Sequence, residues 1–278
     1  NLSLLLERAR VQLAAGNPAS ALDDAQLALY LDPLSNDAFI ARAEALLAAA
    51  AVQSDPQSRV QAYGTAVLAI QEYLLYYPGE PLAWYLLGQA REGEGNLDLA
   101  LGAYDQGLAG GDQTPIAARI YLAQGRLLIQ AHRYREAQSA LEQANALNES
   151  DEGRLLSLEA AVSTGDYVAA LDDLRFLQRR NPADQTLISR KFDLLLRAWL
   201  DSRIDTAQFE EDMTLVTDAY LSTLGEQDRV SALVYRGVIR CENSEFSGAL
   251  SDLSAALALR PSAPAYYYRA RAAQALDQ

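Results

Sequence analysis

With 278 residues, half of them apolar, the chain is too hydrophobic to remain disordered and long enough for one or two compact domains or an extended repeat array. Acidic side chains outnumber basic ones 37 to 23, a net charge of −14, which argues against nucleic acid as a partner because phosphate binding needs a cationic face. One cysteine, Cys241, excludes an internal disulfide, and one histidine, His132, removes most transition-metal and acid–base arrangements. The longest apolar stretch, Ala45 to Val52, falls far short of the ~20 residues of a membrane-spanning helix.

The first predicted element pair runs from Leu2 to Ser35: an apolar-periodic segment, a Gly16-Asn17-Pro18 turn, a second segment through Ala21, Ala25 and Ala28, then Asp32-Pro33. Apolar residues three and four apart predict an amphipathic helix for each segment, with Gly and Pro marking the stops. The pattern restarts along the chain and predicts units 2–35, 36–80, 81–117, 118–150, 151–184, 185–229 and 230–263, followed by a partial unit 264–278. The second and sixth units are 45 residues long against 34 for the first; the extra 11 residues equal about three helical turns and keep the same face inward.

An offset of 149 residues carries the first three unit starts onto the fifth, sixth and seventh. It aligns Gly16 with Gly165, Asp23-Asp24 with Asp172-Asp173, Pro33 with Pro182, Gly88 with Gly237 and Leu46-Leu47 with Leu195-Leu196. Two readings stand: duplication of a four-unit block, giving 2–150 and 151–278, or coincidence of unit lengths. Superposition of the halves as blocks separates them. The paired aspartates are expected early in second helices, where negative charge suits the positive end of the helix dipole. Adjacent helical residues point about 100° apart, so the pairs are not catalytic dyads.

The stretch from Pro81 to Thr114 carries Trp84, Leu87, Gly88, Gly95, Ala100 and Tyr104 in "AWYLLGQAREGEGNLDLALGAY". This resembles the tetratricopeptide repeat family, a helix-turn-helix unit of about 34 residues. The same grid picks out Gly125, Tyr134, Ala137 and Ala144, then Gly165, Tyr167, Ala170 and Pro182, then Gly237, Phe246, Ala249, Ala256 and Pro261. The resemblance covers nearly all of the chain. It implies an all-α, right-handed solenoid of about seven antiparallel helix pairs plus a trailing helix. Small residues allow close helix crossings, while Trp84, Tyr104 and Tyr134 are expected to fill wider gaps between units.

The chemically suggestive residues read as structural. His132 lies in a turn and is expected to be solvated; "GEGN" at Gly93 to Asn96 lacks the preceding strand and spacing of a phosphate loop. Glu210-Glu211-Asp212 reads as a solvated acidic face and Cys241 as a structural thiol. No catalytic, cofactor-binding or metal-binding residue is assigned, and an enzyme is not expected. The compartment stays open, although scarce Cys, Met and Lys lean toward an exported protein. The opening "NLSLLLERAR" without methionine implies a cleaved or omitted upstream segment.

The resemblance further implies that first-helix side chains line a concave surface receiving a protein or peptide partner. Those are Leu82, Tyr85, Gln89 and Glu92 in the third unit and Arg119, Leu122, Arg126 and Gln130 in the fourth, joined by Glu44 and Glu159. The Lys and Asn clamp with which some family members hold a terminal carboxylate is absent; Arg119 and Arg126 either take over that task or form a solvated face. The alternative is self-assembly into a ring or filament through the terminal helices, with Leu2, Leu5 and Leu6 at one end and Tyr266, Tyr267 and Tyr268 at the other. A fragment cut from a longer protein would show the same ends.

Overall fold

The computed structural model describes the chain except residues 112–114, 202, 204–208, 210, 214, 215, 217–220, 222–224 and 278, and the side chains at 196, 199, 200 and 228. Its described regular structure is helical throughout. In chain order the helices are α1 (Leu2–Ala14), α2 (Pro18–Leu31), α3 (Asn36–Ala51), α4 (Pro56–Tyr76), α5 (Pro81–Gly93), α6 (Leu97–Leu108), α7 (Ala117–Gln130) and α8 (Tyr134–Leu147). They continue as α9 (Asp151–Thr164), α10 (Tyr167–Arg180), α11 (Gln185–Leu200), α12 (Glu226–Glu242), α13 (Phe246–Leu259) and α14 (Ala263–Leu276). The contacts divide the chain into two units, residues 1–156 and 157–278.

Local chemistry places the helix starts. Pro18, Pro56 and Pro81 occupy the first helical position, where a missing N–H costs nothing. Asn1, Ser35, Asp55 and Asp166 accept side-chain cap bonds at the starts of α1, α3, α4 and α10. The second pair owes part of its extra length to α4, which has 21 residues against 14 in α2. In the sixth pair α11 has 16 residues, and most of the segment from there to α12 lies outside the described residues.

One turn recurs between first and second helices. Gly16, Gly95, His132, Gly165 and Ser244 all have positive φ, from 58° at His132 to 82° at Gly95. The next residue's N–H reaches back five residues: Asn17 to the Gln12 carbonyl at 2.8 Å, Asn96 to Arg91 at 2.9 Å, Arg133 to Leu128 at 2.8 Å, Asp166 to Ala161 at 2.9 Å and Glu245 to Arg240 at 2.7 Å. This closure satisfies carbonyls at the helix end and reverses the chain. His132 is therefore exposed at a left-handed turn position, with Nδ1 2.8 Å from the Tyr134 hydroxyl oxygen.

Within the first unit each helix from α1 to α8 packs on the next, and α1, α3, α5 and α7 also pack in series. First helices thus share one layer of that unit. Small residues set the approach inside pairs: a Cβ on Gly88 would lie 2.2 Å from the Tyr104 ring, and one on Gly125 would lie 2.5 Å from Leu141. Tyr104 consequently fills the space beside Gly88 within its own pair, correcting its expected place between units. In the second unit α10 packs on α11 and α12 on α13, while α14 covers both α12 and α13. Gly237 lies under Leu253 in the same way, 2.6 Å from a hypothetical Cβ.

The paired aspartates have a different role from the expected one, because they lie beyond the first helical turn. Asp23 is exposed, whereas Asp24 is buried and accepts from Arg8 Nε at 2.7 Å and from its Nη2. The Arg8 hydrogen bond holds the Asp24 carboxyl below its ordinary value. Asp173 is likewise buried beside an exposed Asp172. In the second unit the register repeats: Asp252 is buried and accepts from Arg236 Nε at 2.8 Å, Arg236 Nη2 at 2.6 Å and Arg240 Nη1 at 2.7 Å.

Two further expectations change. Asp212 is buried, 2.8 Å from Arg175 Nη2 and 3.5 Å from Lys191 Nζ, so it belongs to an internal ion network; Glu211 is exposed and Glu210 lies outside the described residues. Leu6 is buried against Ala25, Ala28, Ala38 and Ala41, with Leu2 and Leu5 half-buried beside it. At the other end Tyr266 and Tyr267 are exposed, but Tyr268 packs against the Cys241, Ala249 and Leu253 cluster. Cys241 is buried, its Sγ 3.7 Å from the Tyr268 carbonyl oxygen.

Candidate functional site

The first-helix layer of the first unit carries most of the side chains expected to line a groove. Tyr85 projects from α5 and is almost fully buried; Arg119 from α7 lies over its ring with the guanidinium carbon 4.7 Å from the centroid. Gln89, one turn after Tyr85, donates to its hydroxyl at 3.0 Å. Glu44 on α3 is half-buried, and this burial lifts its carboxyl above the ordinary value against the opposing pull of Arg119 and Arg10. Guanidinium groups from α1 and α7 thus both act on one carboxylate of α3.

Glu92, at the end of α5, accepts from the Tyr104 hydroxyl. Burial raises its carboxyl as well, while Tyr104 and Arg126 pull it down. Tyr104 is fully buried, with its ring 6.0 Å from that of Tyr85, and burial next to Glu92 raises its hydroxyl far above the ordinary value. Arg126 is exposed and paired with Glu152 at the start of α9. Helical spacing sets half-buried Ile40 beside Glu44, half-buried Leu122 between Arg119 and Arg126, and exposed Leu155 beside Glu152, so apolar side chains alternate with charges of both signs along these helices.

Glu92→Gln tests this network. A raised folded value means stability is gained as pH falls through it toward the ordinary glutamate value of about 4.3, and lost as pH rises through it. Glutamine keeps an oxygen for Tyr104 but cannot ionise. As pH is lowered toward the ordinary glutamate value, melting temperature should rise less for Glu92→Gln than for the parent; equal slopes down to that value would contradict the assignment.

The structure thus brings Glu44, Tyr85, Gln89, Glu92, Arg119 and Arg126 into one unit. Glu159 is exposed on the part of α9 that belongs to the second unit and is described there alone. The sequence reading omitted Arg10 and Glu152, although each had a register signal: Arg10 precedes Glu44 by 34 residues and Glu152 follows Arg119 by 33. It also missed a pocket of about 380 Å³ at the N-terminal ends of α5 and α7, lined by Glu80, Pro81, Leu82, Pro115, Ile116 and Arg119. A larger cleft of about 750 Å³ includes Asp98, Asp105, Gln124, Arg133 and Glu136. There Gln124 donates to Asp105 at 2.7 Å, and Arg133 pairs with Glu136.

Among the described residues no His, Cys, Asp and Glu side chains form a group of three able to hold a metal, and no helix is long and apolar enough to cross a membrane. Comparison with curated protein sequences finds no match. A tetratricopeptide repeat family model matches residues 59–115 and 122–185. Among solved structures the chain is similar to a tetratricopeptide repeat protein from Parabacteroides merdae, at 17% identity and TM-score 0.50, over 98% of each chain. It is also similar to the C-terminal part of a TPR repeat-containing protein from Cytophaga hutchinsonii, at 14% identity and TM-score 0.56, over 95% of this chain and 98% of that one. A third similarity is to the structure of Naa15/Naa10 bound to HypK-THB, at 15% identity and TM-score 0.56, over 99% of this chain and 39% of that one. At these identities the likeness concerns the fold. Tetratricopeptide repeats generally act as non-catalytic scaffolds for protein–protein interaction. Residues 59–115 and 122–185 thus carry tetratricopeptide repeats, in a chain whose described regular structure is all α-helix.

Proposed function

We propose that the inner face of the first unit binds an extended or helical segment of a partner protein. The observation that carries this reading is the cluster on Tyr85, with Gln89 bonded to its hydroxyl and Arg119 over its ring, next to a Glu44 carboxyl on α3 that feels the charges of Arg119 and of Arg10 on α1. Apolar stripes bounded by charge suit a segment that buries one side and keeps the other wet. The role is that of a binding scaffold rather than a catalyst.

The test is selection of 12-residue peptides from a randomised displayed library on the whole chain. Affinities of the enriched peptides should then fall at least tenfold on the inner-face variant Leu122→Ser/Leu155→Ser. They should hold on Tyr30→Ser, which changes an exposed residue of α2. Circular dichroism and melting show that the variants remain folded. Failure to enrich peptides, or affinities indifferent to the inner-face changes, would overturn the proposal.

A further inference from the structure

We propose that the pocket between the N-terminal ends of α5 and α7 seats an aliphatic side chain of the bound segment, whose neighbouring acidic side chain meets Arg119. This rests on the inner-face reading above and gives the segment a chemical class: an aliphatic residue next to Asp or Glu.

The walls decide the first half. Pro81, Leu82, Pro115 and Ile116 line most of a pocket of about 380 Å³, within the size range of small-ligand sites. Leu82 and Ile116 are half-buried and pack against the core below, so the pocket has a supported apolar floor. A flexible polar side chain would gain little there, because Pro81 and Pro115 have no backbone N–H to offer. An aliphatic side chain exchanges water for these walls at no polar cost.

Charge decides the second half. Two charged residues border the pocket, Glu80 and Arg119. Glu80 caps α5, its Oε1 accepting the Leu82 N–H at 3.3 Å, and keeps its negative charge on the α5 side of the pocket. Arg119 is differently placed. Its neighbour on the same face, Arg126, is tied to Glu152, whereas no ion pair within 4 Å engages Arg119 among the described residues. Stacking on Tyr85 holds its guanidinium in place while leaving N–H groups for an incoming carboxylate. Glu44 feels the charge of Arg119 without forming a bonded pair, so among the described residues an acidic guest meets a cation that is oriented but not neutralised by contact.

The experiment uses the whole chain and the enriched peptides, synthesised with acetylated N-termini and amidated C-termini so that they carry no terminal carboxylate. Binding is read by fluorescence anisotropy. Enriched peptides should share an aliphatic residue within two positions of Asp or Glu. Changing that acid to its amide should weaken binding to the parent by about tenfold or more, and should have little effect on Arg119→Gln. Ile116→Ser should weaken the aliphatic contact and leave the acid-to-amide effect intact.

Peptides that bind through Leu122 and Leu155 but show no coupling to Arg119 would overturn this assignment while preserving the inner-face reading. Peptides enriched in basic residues instead, with affinity lost on Glu44→Gln, would overturn it in the same way. Absence of any inner-face binder would overturn both.

Discussion

Asp252→Ala should destabilise the second unit by about 3–5 kcal/mol, the cost of breaking a buried ion pair from one side. The aspartate receives two bonds from Arg236 and one from Arg240, and the Arg236 side chain is itself only 10% exposed. Removing the carboxylate leaves a desolvated guanidinium with lost partners between α12 and α13. The corresponding change in the first unit, Asp24→Ala, should cost less, because the Arg8 side chain is 61% exposed and returns to water. Hydrogen exchange over residues 226–259 localises the effect, which a whole-chain melting curve of two units would blur. Equal losses at Asp24 and Asp252 would show that burial of the partner is not the deciding variable.

Gly88→Ala should destabilise the first unit by about 1–3 kcal/mol despite the better helix propensity of alanine. The new Cβ would stand 2.2 Å from Tyr104, whose ring is fully buried and whose hydroxyl is anchored on Glu92. Neither ring nor backbone has an easy retreat. Gly102→Ala supplies the opposite sign: Gly102 is exposed in α6 with nothing within 4 Å of a Cβ, so alanine should add about 1 kcal/mol of stability. Chemical denaturation of the two variants beside the parent checks both signs. A stabilised Gly88→Ala would mean that the α5–α6 crossing is looser than described.

The helical fold was legible because its determinants are local. Proline at the first helical position, Gly16, Gly95 and Gly165 at left-handed turns, and apolar residues at three and four spacing each act within a few residues. Register also gathers residues that the structure keeps in one layer: Glu44, Tyr85, Gln89, Glu92, Arg119 and Arg126 all lie on first helices of the first unit. The partners of buried charge were not. Nothing near Asp24 announces Arg8, 16 residues earlier, until helix pairing places them together. The same holds for Asp212, whose partners Arg175 and Lys191 come from two other helices. Leu6 was misplaced for a similar reason, since the small side chains of α2 and α3 that cover it are recognisable only after packing.

The repeated helix reversal has a consequence for how the chain reaches its fold. Because each such turn closes through a bond spanning five residues, a helix pair can form before distant segments meet, and the loop entropy it must overcome is small. Contact order is correspondingly low within a pair, so several pairs can serve as nuclei and growth can spread to neighbours in either direction. The order in which pairs form then tracks their individual stabilities.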